Sequence, residues 1–503
     1  MKKLITLCAC AAVAVAFAAA DGTATGTTTL VVDDDGEQCE TLITTIEAAV
    51  EEAQPGDVIR VCPGFYRPES VRIDKPLTLT GDPKAIEAID CFDPRPAVLG
   101  DLDPTTQVII DGSDSTALAS LVLAADDIEV AGFVFEGFAN PVLPTDDHFF
   151  RRALDVSGEY SGYRVHHNLL RLNTVGIMLG SSGARETRFD RNCLRENRWG
   201  LAADYRDLIN ARIDHNATYG TVSFAFETFR LDYARENLSF DHNWSRQDNI
   251  PYWISGTKHS RIFANTIESA RIGIQIQAAN EHLEIARNVI TDPFETNRTG
   301  FVLQGIGFGD PGIGQSASTY ASVRANTIIG MGTPASPVGD GIVAAGPPNA
   351  PRPGLMDSTI ENNVTTDNLR DGIILRGENA RNTVRGNTSD RNGSYGIFVQ
   401  GAVNNRFEAN TTNNNFDGIS LQRAVRLGVN YDATGNEFLR NVAEVNSRYG
   451  IFADQFTTQN VFELNWMFGN AIHDAHDDAR PANTWSGNQC ATDFPAGTIC
   501  GVG

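Results

Sequence analysis

Beyond its first twenty residues the sequence lacks any apolar run long enough to span a bilayer. It lacks a Cys-x-x-Cys pair or a Cys/His spacing that would suggest zinc. After residue 100 it lacks even ten consecutive residues of helical pattern between strand-like segments, which excludes a βαβ sheet. Positive charge is short as well: 40 Lys plus Arg face 63 Asp plus Glu, a net charge of −23. That balance disfavours nucleic acid and anionic membranes as partners.

What the sequence does have is repetition. A pattern of polar, apolar, two free positions and Asn recurs as RVHHN (Asn168), RFDRN (Asn192), RIDHN (Asn216), SFDHN (Asn243) and RIFAN (Asn265). It continues through Asn288, Asn326, Asn363, Asn387, Asn410, Asn441 and Asn465 to Asn488, mostly in steps of 22–27 residues. About eight residues after many of these Asn comes Gly followed by alternating apolar residues, as in GIMLG (Gly176–Gly180), GIQIQ (Gly273–Gln277) and GIFVQ (Gly396–Gln400). Alternation with period two means strands. Short strands repeating at this interval must stack coil on coil to bury their apolar faces. The expected fold is all-β, a right-handed parallel β-helix over residues 58–488. Asn suits its turn because it tolerates left-handed backbone angles. Two long steps carry Gly/Pro/Ser-rich segments, Gly307–Tyr320 and Gly330–Gly354, expected to leave the coil as loops.

Residues 1–20 read as a secretory signal: Lys2 and Lys3, an apolar run, then Ala18-Ala19-Ala20. The mature chain is expected to be secreted or periplasmic and monomeric. Residues 21–57 should supply an N-terminal strand and a capping helix within Thr44–Asp57, stopped by Pro55-Gly56. Residues 489–503 should form a tail closed by a Cys490–Cys500 disulfide, since the intervening loop is short. Cys39 and Cys62 are a second candidate pair; Cys91 and Cys193 are left open.

Equal offsets from stacked Asn place residues in columns. One outward column should hold His166, Asp190, Asp214 and Asp241; the position before Asn holds His167, Arg191, His215 and His242. His beside Asp is a usable base near neutral pH, and the set is also compatible with a divalent cation. The alternative is a charge-paired outer face. The stretch Arg151–Arg271 carries 16 Arg and one Lys against 14 Asp plus Glu, a net of +3 inside an acidic chain, so it could receive an acidic ligand. A second outward column, after the Gly-apolar motif, holds Asp204, Gln277, Gln304, Arg376, Gln400, Gln422 and Asp454; amides there could bind sugar hydroxyls or form a Gln ladder. Trp199, Tyr205, Tyr252 and Trp253 could stack on sugars or fill the coil. HDAHDD (His473–Asp478) and DDDGE (Asp33–Glu37) resemble metal-binding turns.

The stretch TIEAAVEEAQPGDVIRVCPGFY (Thr45–Tyr66) followed by VRIDKPLTLTGD (Val71–Asp82) resembles the opening of secreted right-handed parallel β-helix repeat proteins, including periplasmic copper-binding accessory proteins of nitrous oxide reductase. The coils are similar to those of polysaccharide lyases, pectinesterases and mannuronan C5-epimerases. The Asp-Pro-His-Asp motif of the epimerases has no match: Asp310-Pro311 is followed by Gly312 and Asp292-Pro293 by Phe294. Met178, Met331, Met356 and Met467 are scattered, which does not favour copper. The expected function is action on, or binding of, an acidic polysaccharide, as a uronate lyase or C5-epimerase. The alternatives are a non-catalytic polysaccharide- or surface-binding protein and a copper-handling accessory protein.

Overall fold

The computed structural model describes residues 27–142, 150–229, 231–277, 279–291, 303–309, 317–345, 353–426 and 428–500. The secretory signal lies outside them. The chain is a right-handed parallel β-helix whose strands stack into three long sheets, here A, B and C in the order the chain visits them. One coil reads Arg164–His166 in sheet A, Leu169–Arg171 in B and Val175–Met178 in C; the next returns to A at Ser181–Asp190. Register is kept from rung to rung, so Val165 lies on Phe189 and Ile213 on Phe240 inside the coil. These side chains are shut off from solvent. Burial of each contributes about 1.5–3 kcal/mol, which is why inward positions stay apolar along the whole solenoid.

The recurring Asn residues form one unbroken ladder at the corner between sheets A and B. Asn168 donates its Nδ2–H to Asn192 Oδ1 at 3.1 Å and to Val130 O at 3.1 Å, and Asn192 repeats the pattern on Asn216. The left-handed residue is not the Asn but the one before it: φ is +50° at His167, +52° at Arg191, and +55° at both His215 and His242. Two further ladders were not read from the sequence. One runs Asn368, Asn392, Asn415, Asn446, Asn470 between sheets B and C. The other runs Asn382, Asn405, Asn436, Asn460, Asn483 where the chain enters sheet A.

The helix Ile46–Glu52 packs Ile46, Ala49 and Val50 against the first coil, with Thr45 as its N-cap. The strand Thr29–Val32 pairs in parallel with Val58–Val61. All six remaining cysteines are bonded: Cys39–Cys62, Cys490–Cys500 and Cys91–Cys193. The last pins residues 91–100 across the outer face of sheet B, where Arg195 donates to Asp93 O and Arg95 O. One expectation needs correcting. Neither expected loop is all loop: Gly307 and Phe308 end the sheet C strand Leu303–Phe308, Ser318–Thr319 pairs with Leu355–Met356, and within Gly330–Gly354 the segment Gly339–Ala345 is a strand of sheet C. Asp340-Gly341 opens that rung as Asp371-Gly372 opens the next, and the Pro/Gly content of its flanks masked the match.

Candidate functional site

On the outer face of sheet A the expected columns form. His166, Asp190, Asp214, Asp241 and Phe263 lie in register on successive rungs. They are not solvated, however. Asp190 and Asp214 are 0 % exposed, Asp241 1 % and His166 8 %. The cause is a third column that the sequence reading passed over: Arg164, Arg188, Arg212, Ser239 and Arg261, also in register. It is the first, "polar" position of the Asn motif. Residues i and i+2 of a strand share a face, so each long guanidinium lies over the short aspartate beside or above it.

Arg188 forms a two-pronged pair with Asp214, at 2.8 and 2.6 Å. Arg212 bonds Asp241 at 3.0 Å and lies 3.4 Å from Asp214. Arg191 holds Asp190 at 2.6 Å, and Arg261 lies 3.6 Å from Asp241. Burial pushes the Asp214 carboxyl up, but hydrogen bonds from Arg188 and His215 outweigh it, and the group stays below the usual carboxylate range. Asp241 follows the same balance, with Ser239, His242 and Arg212 as donors. Both are therefore ionised in neutral solution, and five arginines share three aspartates.

The imidazoles divide into two pairs. His166 bonds Glu129 through Nε2 at 2.7 Å and His167 through Nδ1 at 2.6 Å, while His167 reaches Glu87 at 2.9 Å. Burial and the neighbouring His166 hold the His167 pKa below its ordinary value. This pair is closed in. His215 and His242 are open, with side chains 46 % and 49 % exposed. Their rings stack at 5.2 Å and 7°. His215 Nδ1 meets Asp214 at 2.7 Å and His242 Nδ1 meets Asp241 at 3.0 Å, leaving each Nε2 as the ring's outer nitrogen. A buried anion behind an exposed imidazole is an arrangement suited to proton transfer.

A divalent cation fits this face poorly. Asp214, His215 and Asp241 offer ligand atoms within 4.8 Å of one another, yet both Asp214 oxygens already accept from Arg188. Asp33 also groups with Cys39 and Cys62, but those sulfurs are joined as a disulfide. Asp33 accepts from Gln38 N and Cys39 N, and Asp35 from Glu37 N. In HDAHDD, Asp474 accepts from Ala491 N and Thr492 N, Asp477 takes the Trp485 indole, and His476 packs on Phe494 at 4.6 Å. Each acidic turn ties down its own end of the solenoid.

The second column holds only in part. Arg376, Gln400 and Gln422 lie in register, with Arg376 donating to Gln400 at 2.8 Å and Gln422 donating to the Tyr395 hydroxyl at 3.1 Å. Asp204 and Gln277 are buried, so neither offers an open amide or carboxylate. Gln304 does not belong to the column: it pairs with Ile272 and Asp340, because the glycine stacked on Gly273 is Gly305. Tyr252 fills the coil, stacked on Phe226 at 4.9 Å. Trp199 lies outside against Phe150 at 4.7 Å. Met331 and Met467 are core residues and cannot serve copper.

A family model described as "Right handed beta helix region" matches residues 311–489. No curated protein matches the sequence. Solved structures similar to the chain include the Azotobacter vinelandii mannuronan C-5 epimerase AlgE6 A-module (12 % identity, covering 92 % of this chain and 99 % of that one, TM-score 0.34). Another is the catalytic unit of a GH87 alpha-1,3-glucanase from Streptomyces thermodiastaticus strain HF3-3 (12 % identity, 95 % and 71 % covered, TM-score 0.37). A third is the Dettilon tailspike protein (12 % identity, 87 % and 66 % covered, TM-score 0.35). At this distance nothing about chemistry transfers.

Proposed function

We propose that the protein is exported and engages an acidic polysaccharide on the outer face of sheet A, with His215 and His242 as the groups that move a proton. The carrying observation is the open, stacked imidazole pair, each ring held through Nδ1 by a buried, ionised aspartate. The arginine column beside it makes the face cationic, which suits a uronate carboxylate. In this reading Arg191 or Arg212 neutralises that carboxylate, His215 or His242 takes the C5 proton, and the bond to the C4 oxygen breaks as the C4–C5 double bond forms, the departing oxygen taking a proton from water to leave as a hydroxyl. Lyase chemistry is favoured over C5 epimerisation. Both imidazoles stand on one surface, whereas epimerisation requires a proton returned from the opposite face of the sugar.

A second reading, non-catalytic binding, is favoured by one observation: every aspartate of the column is already ion-paired. Incubation of the purified protein with uronate polysaccharides separates them. New ultraviolet absorbance from unsaturated products, lost in both His215→Ala and His242→Ala, supports the lyase. Retained affinity with no absorbance, and no epimer by NMR, leaves a binding protein.

A further inference from the structure

A pocket of about 440 Å³ opens on the outer face of sheet C, away from the columns of sheet A. It lies within the range of about 300–1,000 Å³ usual for small-ligand sites. Its floor is Arg72, Val122 and Asp155, in register on three successive rungs. Its wall is the turn Tyr205–Asp207, which leads into the strand Leu208–Asp214, together with Tyr233 from the next coil. Gly158 lets the pocket close at this point: a Cβ there would stand 3.1 Å from the Arg206 side chain and 3.2 Å from Asp207 O.

The wall is braced from behind. Arg235 is almost wholly buried and donates to Arg206 O at 2.5 Å, and to Ala203 O and Ala234 O. Its guanidinium lies over the Tyr233 ring at 5.7 Å. The Tyr205 and Tyr233 rings meet edge to face at 6.4 Å and 74°. Within the pocket the charges are unequal in their commitments. Asp155 is held by Arg152 at 3.0 Å and by Arg206. Asp207 accepts from Ala234 N. Glu159 also lines the pocket and is exposed, and the exposed side chain of Arg72 makes no hydrogen bond or ion pair among the described residues. One uncommitted guanidinium, the exposed carboxylate of Glu159, two phenol-bearing rings and a braced wall therefore face one small volume.

We infer that this pocket binds a single acidic sugar residue of the polysaccharide, its carboxylate on Arg72 and its ring against Tyr205 and Tyr233. The inference rests on the acidic-polysaccharide reading of sheet A and adds a second, separate contact for the same chain. A planar guanidinium recognises a carboxylate in two-pronged fashion. Tyrosine offers an apolar face with a polar tip, which matches a sugar ring and its hydroxyls.

The test is calorimetry of the full chain with short oligouronates, an uncharged oligosaccharide of equal length, and the long uronate polymer. Arg72→Ala and Tyr233→Ala are expected to weaken oligouronate binding roughly tenfold each, with unchanged melting temperature. The uncharged oligosaccharide should bind wild type about as weakly as oligouronate binds Arg72→Ala. Wild-type affinity in both variants overturns the pocket while leaving the face on sheet A standing. Equal affinity of wild type for charged and uncharged oligosaccharides overturns the assignment of an acidic sugar. Failure of wild type to bind any uronate glycan overturns the reading of sheet A, and with it the ligand of the pocket.

Discussion

Sheet A carries charge along its whole outer face, but its two halves use it differently. In the rungs from Arg164 to Phe263 the column holds short aspartates, and guanidiniums from the neighbouring column roof them over. In the rungs from Glu284 onward the same column runs Ala286, Arg324, Glu361, Arg385 and Glu408. There long glutamates meet arginines nearer the solvent, as in Arg385–Glu361 and in Arg406, which bridges Glu408 and Glu437. One side-chain methylene separates the two outcomes. A short carboxylate stays at the sheet surface and is buried by longer neighbours; a long one reaches out and pairs in water. Only the first arrangement leaves exposed imidazoles anchored on buried anions.

The comparison breaks most readily at the imidazoles. His215→Ala is expected to lower turnover on a uronate polymer by about 10²–10⁴-fold while costing only about 1 kcal/mol of stability through the lost hydrogen bond to Asp214, read from initial rates and a thermal melt. Normal turnover in both His215→Ala and His242→Ala would remove proton transfer from this face.

Next in size is Asp214→Ala. It leaves Arg188, Arg212 and His215 without their shared anion and should cost about 3 kcal/mol in denaturant unfolding. The matching change in the later half, Glu408→Ala, should cost less than about 1 kcal/mol. Equal losses at the two sites would mean that the halves do not differ.

Acidity sharpens the contrast through sign. Asp214 and Asp241 sit below their ordinary values. Their contribution is therefore complete above about pH 4 and is lost as pH falls through the folded-state values. Asp371, on sheet C, behaves in the opposite sense. Burial, then the charge of Asp340, pushes it up to about 7. The folded protein holds a proton there that the unfolded chain releases above about pH 4, so this group's contribution declines as pH rises from about 4 to about 7. Asp371→Asn should raise stability at pH 8 by roughly 1–3 kcal/mol and change little at pH 4. A melt series across pH would detect a wrong sign.

The smallest effect is at the left-handed positions before each ladder Asn. His215→Gly should be more stable than His215→Ala by about 0.5–1 kcal/mol, because glycine accepts φ near +55° without penalty.

Much of this molecule was legible because stacking converts sequence offsets into columns. The Asn ladder, the coil and the two-column offset at Asn168, Asn192, Asn216 and Asn243 follow from spacing alone, since parallel strands in register repeat their neighbours' positions. The arginine column was equally present, as the first letter of RVHHN, RFDRN, RIDHN and RIFAN, but a charge at a surface position looks solvated in sequence. Gln304 was misplaced because an insertion changed the distance between glycines, and a shift in register is invisible without the partner strand. Sequence by itself determined which residues share a rung and a column. Tertiary structure alone decided which of them water reaches: Asp214 lies beneath Arg188 and Arg212, His215 stands open above them, and Tyr205 and Tyr233 meet around Arg72. Exposure depends on the lengths of side chains from neighbouring coils, and those coils lie more than twenty residues away along the chain.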